Sequence, residues 1–96
     1  MIITLCGSTR FKDEFEKVNE KLTLEGNIIL APGVFGHSNA VEPSPEIKTR
    51  LDELHKDKIA MSDAIYVINK DGYIGESTRG EIAFAKKLGK KIIMME

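Results

Sequence analysis

Four short apolar runs decide what this chain can become: residues 2–6 (IITLC), 27–30 (NIIL), 64–68 (AIYVI) and 91–95 (KIIMM). Each is too short for a packed helix, rich in β-branched residues and apolar at successive positions, so both faces of each strand must be covered. Between them the period changes to that of a helix. Phe11, Phe15, Val18 and Leu22 fall at i, i+4, i+7 and i+11, behind Ser8 or Thr9 as cap and ahead of Gly26 as stop. Ser44-Pro45-Glu46 places a cap, a helix-starting proline and an acid in succession. Ile47, Leu51, Leu54 and Met61 are then expected to line the packed face of a second helix ending near Ser62. A third helix is expected over 78–88, closed by Gly89. Residues 34–43 and 69–77 read as loops.

The order β-α-β-α-β-α-β predicts an α/β fold: a three-layer, Rossmann-like (flavodoxin-like) parallel sheet of four strands with helices on both faces. Right-handed crossovers make 2-1-3-4 the natural strand order. The whole chain, residues 1–96, is expected to form this single domain. In such sheets ligands lie above the carboxyl ends of the strands where the winding reverses, here between strands 1 and 3. Segments 6–10, 32–43 and 69–79 project over that crevice.

Composition narrows the function classes. Fourteen basic against fifteen acidic side chains leave a net charge of -1, which argues against a nucleic-acid footprint. No apolar run is long enough to cross a membrane, and the N-terminus lacks the basic and apolar regions of a signal peptide. A single Cys argues against a disulfide or a Cys-based zinc site and fits a reducing, cytoplasmic setting. Two His without paired carboxylates argue against a metal site. Neither a GxGxxG fingerprint nor a Walker A loop is present, so no cofactor is expected.

The candidate chemistry sits in the loops. Gly7, Ser8, Thr9 and Arg10 combine a turn residue, two hydroxyls and a guanidinium at a helix N-terminus, a composition suited to an anion. The same residues would serve equally as a helix cap beside a solvated arginine. Ser77 and Thr78 precede a helix whose expected first turn carries Glu81, beside Ile82, Ala83 and Ala85. An acid there could be catalytic or could complement the helix dipole. His55 lies beside the apolar stripe, roughly 10 Å along the axis from strand 3, nearer the crevice than Asp57. It could act as an acid or base, or pack at the core edge. His37 could touch a ligand from the second loop. Cys6 reads as a small core residue, Asp63 as a brace for the helix–strand turn, and the 86–91 lysines as cations at a helix C-terminus.

The strand–CGSTR–helix opening, SDAIYVI and ESTRGEIAFAKKLGKKI together resemble the nucleoside 2-deoxyribosyltransferase superfamily, nearest the 2′-deoxynucleoside 5′-phosphate N-hydrolases. The resemblance covers nearly the whole chain. It implies a Rossmann-like fold, Glu81 as catalytic nucleophile, and a phosphate site on Gly7, Ser8 and Arg10. The family's second carboxylate, eight residues before Asp63, is His55 here. Gly75 stands where the family carries Asp or a phosphate-binding Ser, six residues before Glu81. The implied chemistry is attack of a carboxylate on the anomeric carbon, with hydrolysis or base exchange of a (deoxy)nucleoside or its monophosphate. The alternatives are a non-catalytic nucleotide-binding module and a small dimeric interaction protein. A homodimer is expected in each case, because the apolar last strand needs cover at its outer edge.

Overall fold

The computed structural model describes residues 1–33 and 44–96. The candidate ligand contact His37, with most of the second loop, lies outside the described residues.

Strand β1 runs over Ile2–Gly7, helix α1 over Lys12–Leu24, β2 over Ile28–Leu30, α2 over Pro45–Met61, β3 over Ala64–Ile68, α3 over Glu76–Lys87 and β4 over Lys91–Met94. Short 3₁₀ turns occupy Thr9–Phe11 and Lys70–Gly72. The sheet has the expected order β2-β1-β3-β4, and all three pairings are parallel.

The pleat sorts the central strands between two cores, because successive side chains point to opposite faces. Ile3 and Leu5 of β1 join Ala64 and Ile68 of β3 on the side covered by α1, where Phe15 and Leu22 are buried and Phe11 and Val18 pack around them. Cys6 joins Ile65 and Val67 on the other side, under Ile59 of α2 and Ala85 of α3. That parity brings the end of β1 against both α2 and α3.

The α1 stripe is the one its spacing predicts, and Gly26 ends the helix at φ +97°. Ser44 caps α2 as expected, its hydroxyl accepting from the Ile47 N–H at 3.3 Å. The face of α2 differs. Ile47, Leu54 and Met61 are exposed, and the buried residues are His55 and Ile59. Two rows of α2 have helical spacing, and polar contacts select between them. The Thr4 hydroxyl donates to the Lys58 carbonyl at 3.1 Å and bonds the Ser62 hydroxyl, which turns the His55–Ile59–Ser62 row toward β1. Asp63 braces the following turn as expected, accepting from the Ile2 N–H at 2.8 Å.

The third helix begins at Glu76 rather than at 78, with Gly75 at its N-cap. Ser77 is therefore inside the first turn, and Glu81 lies a turn further along, away from the helix terminus. At the end of β3, Asn69 is buried and exchanges hydrogen bonds with the Glu96 backbone, receiving its N–H at 2.8 Å. That bond ties the root of the third loop to the chain beyond β4.

Candidate active site

Gly7 ends β1 where the backbone must pass close to β3. A Cβ there would lie 2.7 Å from the Ile68 carbonyl oxygen, and φ is +153°, so only glycine fits. The chain then turns at Ser8, the N-cap of the 3₁₀ turn. The Ser8 hydroxyl accepts from the Arg10 N–H at 3.4 Å and from Arg10 Nε at 3.1 Å. Arg10 Nη2 donates to the Tyr73 hydroxyl at 3.0 Å, and the guanidinium carbon sits 4.3 Å from the Tyr73 ring centroid. Phe11 meets the same ring edge-on at 6.0 Å. The guanidinium is thus braced against the third loop while remaining exposed to solvent.

Gly75, expected to touch a ligand, backs this clamp: a Cβ at its position would stand 3.2 Å from the Tyr73 hydroxyl. Nothing in the sequence pattern distinguished Tyr73, because its contact with Arg10 spans two loops that meet only in the folded sheet.

The second group of residues lies on the α2/α3 side. Cys6 Sγ is 3.5 Å from His55 Nε2, and His55 Nε2 is 3.6 Å from Glu81 Oε1. The ligand atoms of all three lie within 4.8 Å of one another. The environment opposes charge. Burial pushes the Glu81 carboxyl up to about 7; a hydrogen bond from Cys6 pulls it back, as does the Lys56 charge, while Asp52 adds to the rise. Burial, then the Lys58 charge, drives His55 down to about 4 against the pull of Asp52. Burial, followed by the neighbouring Glu81 carboxylate, puts the Cys6 thiol far above its ordinary range.

His55 Nδ1 is buried and has no hydrogen-bond partner among the described residues. An orphaned N–H costs more than an orphaned lone pair, so the neutral ring places its proton on Nε2, facing Glu81 and Cys6.

Glu81 opens onto a cavity of about 170 Å³ lined by Asp52, Lys56, Ser77, Gly80 and Glu81. Of the expected site residues, Ser77 and Glu81 are here, with His55 behind them. Asp52 and Lys56 had not been singled out. Asp52 stands three residues before His55, so the i, i+3 rule would have paired them once the facing row of α2 was known. A larger depression of about 370 Å³ on the outer side of α1, lined by Glu16, Asn19, Glu20, Thr23 and Leu24, holds none of these groups.

Chemically, the site offers a half-buried carboxyl group of near-neutral pKa at a cavity wall and a braced guanidinium. The carboxyl group is carried by α3 and meets Cys6 near the end of β1, and the guanidinium is carried by the 3₁₀ turn that follows that strand.

No protein-family model and no curated protein matches the chain. Among solved structures it is similar to the Clostridium botulinum CMP N-glycosidase BcmB. The match covers 98% of this chain and 70% of that one, with a TM-score of 0.58 and 24% sequence identity. The two share a fold.

Proposed function

We propose that this protein cleaves the N-glycosidic bond of a nucleoside or nucleoside 5′-monophosphate, with Glu81 as the nucleophile. The observation that carries the reading is the Glu81 carboxyl group itself, beside Cys6 and His55 and at the wall of a cavity between α2 and α3. The shared fold with a CMP N-glycosidase supports the same class of substrate.

A Glu81 oxygen attacks the anomeric carbon, the carbon–nitrogen bond breaks, and its electron pair leaves with the base. Water then attacks the glycosyl ester, releasing the sugar and regenerating the carboxylate. A second base in place of water gives transfer instead. His55 lies against the carboxyl group and is a positioning residue in this scheme, because a ring held at about pKa 4 is neutral at neutral pH and is no general acid. The departing base still takes up a proton. Water entering the cavity beside Asp52 and Lys56 supplies it. Arg10, braced by Ser8 and Tyr73, receives the 5′-phosphate. A second copy of the chain would enclose the crevice. Ile47, Leu54 and Met61, seven residues apart on α2, give such a copy an apolar face to cover.

A non-catalytic nucleotide-binding role is the second reading, favoured by the absence of charge on His55 beside Glu81. Incubation with panels of nucleosides and monophosphates, followed by chromatography of free base, separates the two. Base release is expected, with kcat/KM rising as pH climbs through about 7 and Glu81 ionises. Glu81→Gln is expected to lower turnover by at least about 10³-fold with binding retained. Arg10→Ala should weaken monophosphate binding by roughly 10–100-fold and spare the nucleoside. Full turnover in Glu81→Gln removes the nucleophile, equal losses in Arg10→Ala remove the phosphate site, and binding without any base release by the native protein establishes the second reading.

A further inference from the structure

We propose that Cys6 Sγ, His55 Nε2 and a Glu81 carboxylate oxygen form a three-ligand site for a zinc-class divalent ion. The inference goes beyond the glycosidase reading and stands apart from it. Ligands at zinc's usual 2.0–2.3 Å, set tetrahedrally, are separated from one another by roughly 3.4–3.6 Å. The sulfur–nitrogen and nitrogen–oxygen separations here are 3.5 and 3.6 Å, and no pair exceeds 4.8 Å. The three atoms come from three elements, the end of β1, the middle of α2 and the second turn of α3, so packing of the sheet against both helices holds them together before any ion arrives. Thiolate, imidazole and carboxylate are the donor types zinc takes.

The sequence argued against such a site, with one Cys and two His lacking paired carboxylates. Positions 6, 55 and 81 have no local spacing for a motif to register, and only the pleat parity of β1 and the turn of α2 bring them together.

Glu81 also lines the cavity of Asp52, Lys56, Ser77 and Gly80, from which water or a ligand oxygen would complete a tetrahedron. Asp52 favours a cation there, while the Lys56 and Lys58 charges oppose it. As the sulfur–metal bond forms, the thiol proton leaves to solvent, so binding releases protons and strengthens with pH. Ligation through Nε2 leaves the ring proton on Nδ1, which lacks an acceptor among the described residues. That missing outer partner makes the site weaker than a structural zinc centre, whose ligating histidines donate their other ring N–H to a carboxylate or carbonyl. A bound ion takes the Glu81 lone pairs, so occupancy and nucleophilic attack exclude each other.

The test uses the full chain, freed of metal by a chelator and titrated with Co²⁺ without substrate. A thiolate-to-cobalt charge-transfer band is expected, together with four-coordinate ligand-field bands, and Zn²⁺ should displace both. Because the chain has a single Cys, that band reports Cys6 alone. Cys6→Ser should abolish it, and His55→Gln and Glu81→Gln should each weaken binding at least about tenfold. Zn²⁺ should raise the unfolding temperature of the native chain and not that of Cys6→Ser, a comparison made only between variants that show a cooperative unfolding transition. No charge-transfer band in the native protein, or a band of unchanged affinity in both His55→Gln and Glu81→Gln, overturns the site. Cobalt binding without base release leaves the metal site standing and defeats the glycosidase. Base release without cobalt binding does the reverse.

Discussion

Replacing Glu81 by Gln should stabilise the fold at alkaline pH, because the native chain holds an ionisable group where charge is unwelcome. The carboxyl is raised from 4.5 to about 7 by burial, and its side chain is only 16% exposed, so solvent screening removes little of the effect. Below pH 4.5 the group is protonated in both folded and unfolded chains and contributes no difference. As pH rises through 4.5 the unfolded chain ionises first, and stability falls until the folded group also ionises near 7. The interval of 2.5 units, at 1.36 kcal/mol each, amounts to about 3 kcal/mol at pH 8. His55 acts in the opposite sense. Its pKa falls from 6.5 to about 4, so its contribution is whole above 6.5 and is lost as pH drops toward 4. Between 4.5 and 6.5 the two slopes offset one another in the native chain, and Glu81→Gln exposes the His55 slope alone. Thermal unfolding of both proteins from pH 4.5 to 8 measures this. A gain upward of about 10 °C is expected at pH 8, and almost none at pH 4.5. A difference independent of pH, or a variant less stable than the native chain at pH 8, would refute burial as the cause of the raised pKa.

Gly7→Ala should cost roughly 1–3 kcal/mol in urea unfolding, since the new Cβ would press on backbone, the Ile68 carbonyl 2.7 Å away; an unchanged midpoint would mean that β1 and β3 are not forced together there. Sedimentation velocity at micromolar concentration should show a dimer that Leu54→Lys converts to monomer, Leu54 being half exposed at the centre of the α2 stripe. A native chain that sediments as a monomer would remove the second copy from the proposed site.

Much of the architecture was legible because it is written locally. Strand runs of β-branched residues, the Phe11–Leu22 stripe, the Ser44 cap and the Gly26 stop depend on neighbours within a few positions, and with the handedness of crossovers they lead to the order 2-1-3-4. Glu81 stood out as a catalytic candidate through family resemblance, since position alone left it as one acid near a helix start. The rest was decided by packing. Two rows of α2 had helical spacing, and only its docking on Thr4 and β1 chose the row that buries His55 and Ile59 and leaves Ile47, Leu54 and Met61 outside. The cap of α3 moved to Gly75, which took Glu81 away from the helix terminus and its dipole. Tyr73 bracing Arg10, and Cys6 meeting His55 and Glu81, join residues 63, 49 and 75 positions apart along the chain. Periodicity records which residues share a face of one element. Which face meets which depends on pleat parity and helix phase relative to the sheet, and those exist only once the elements have packed.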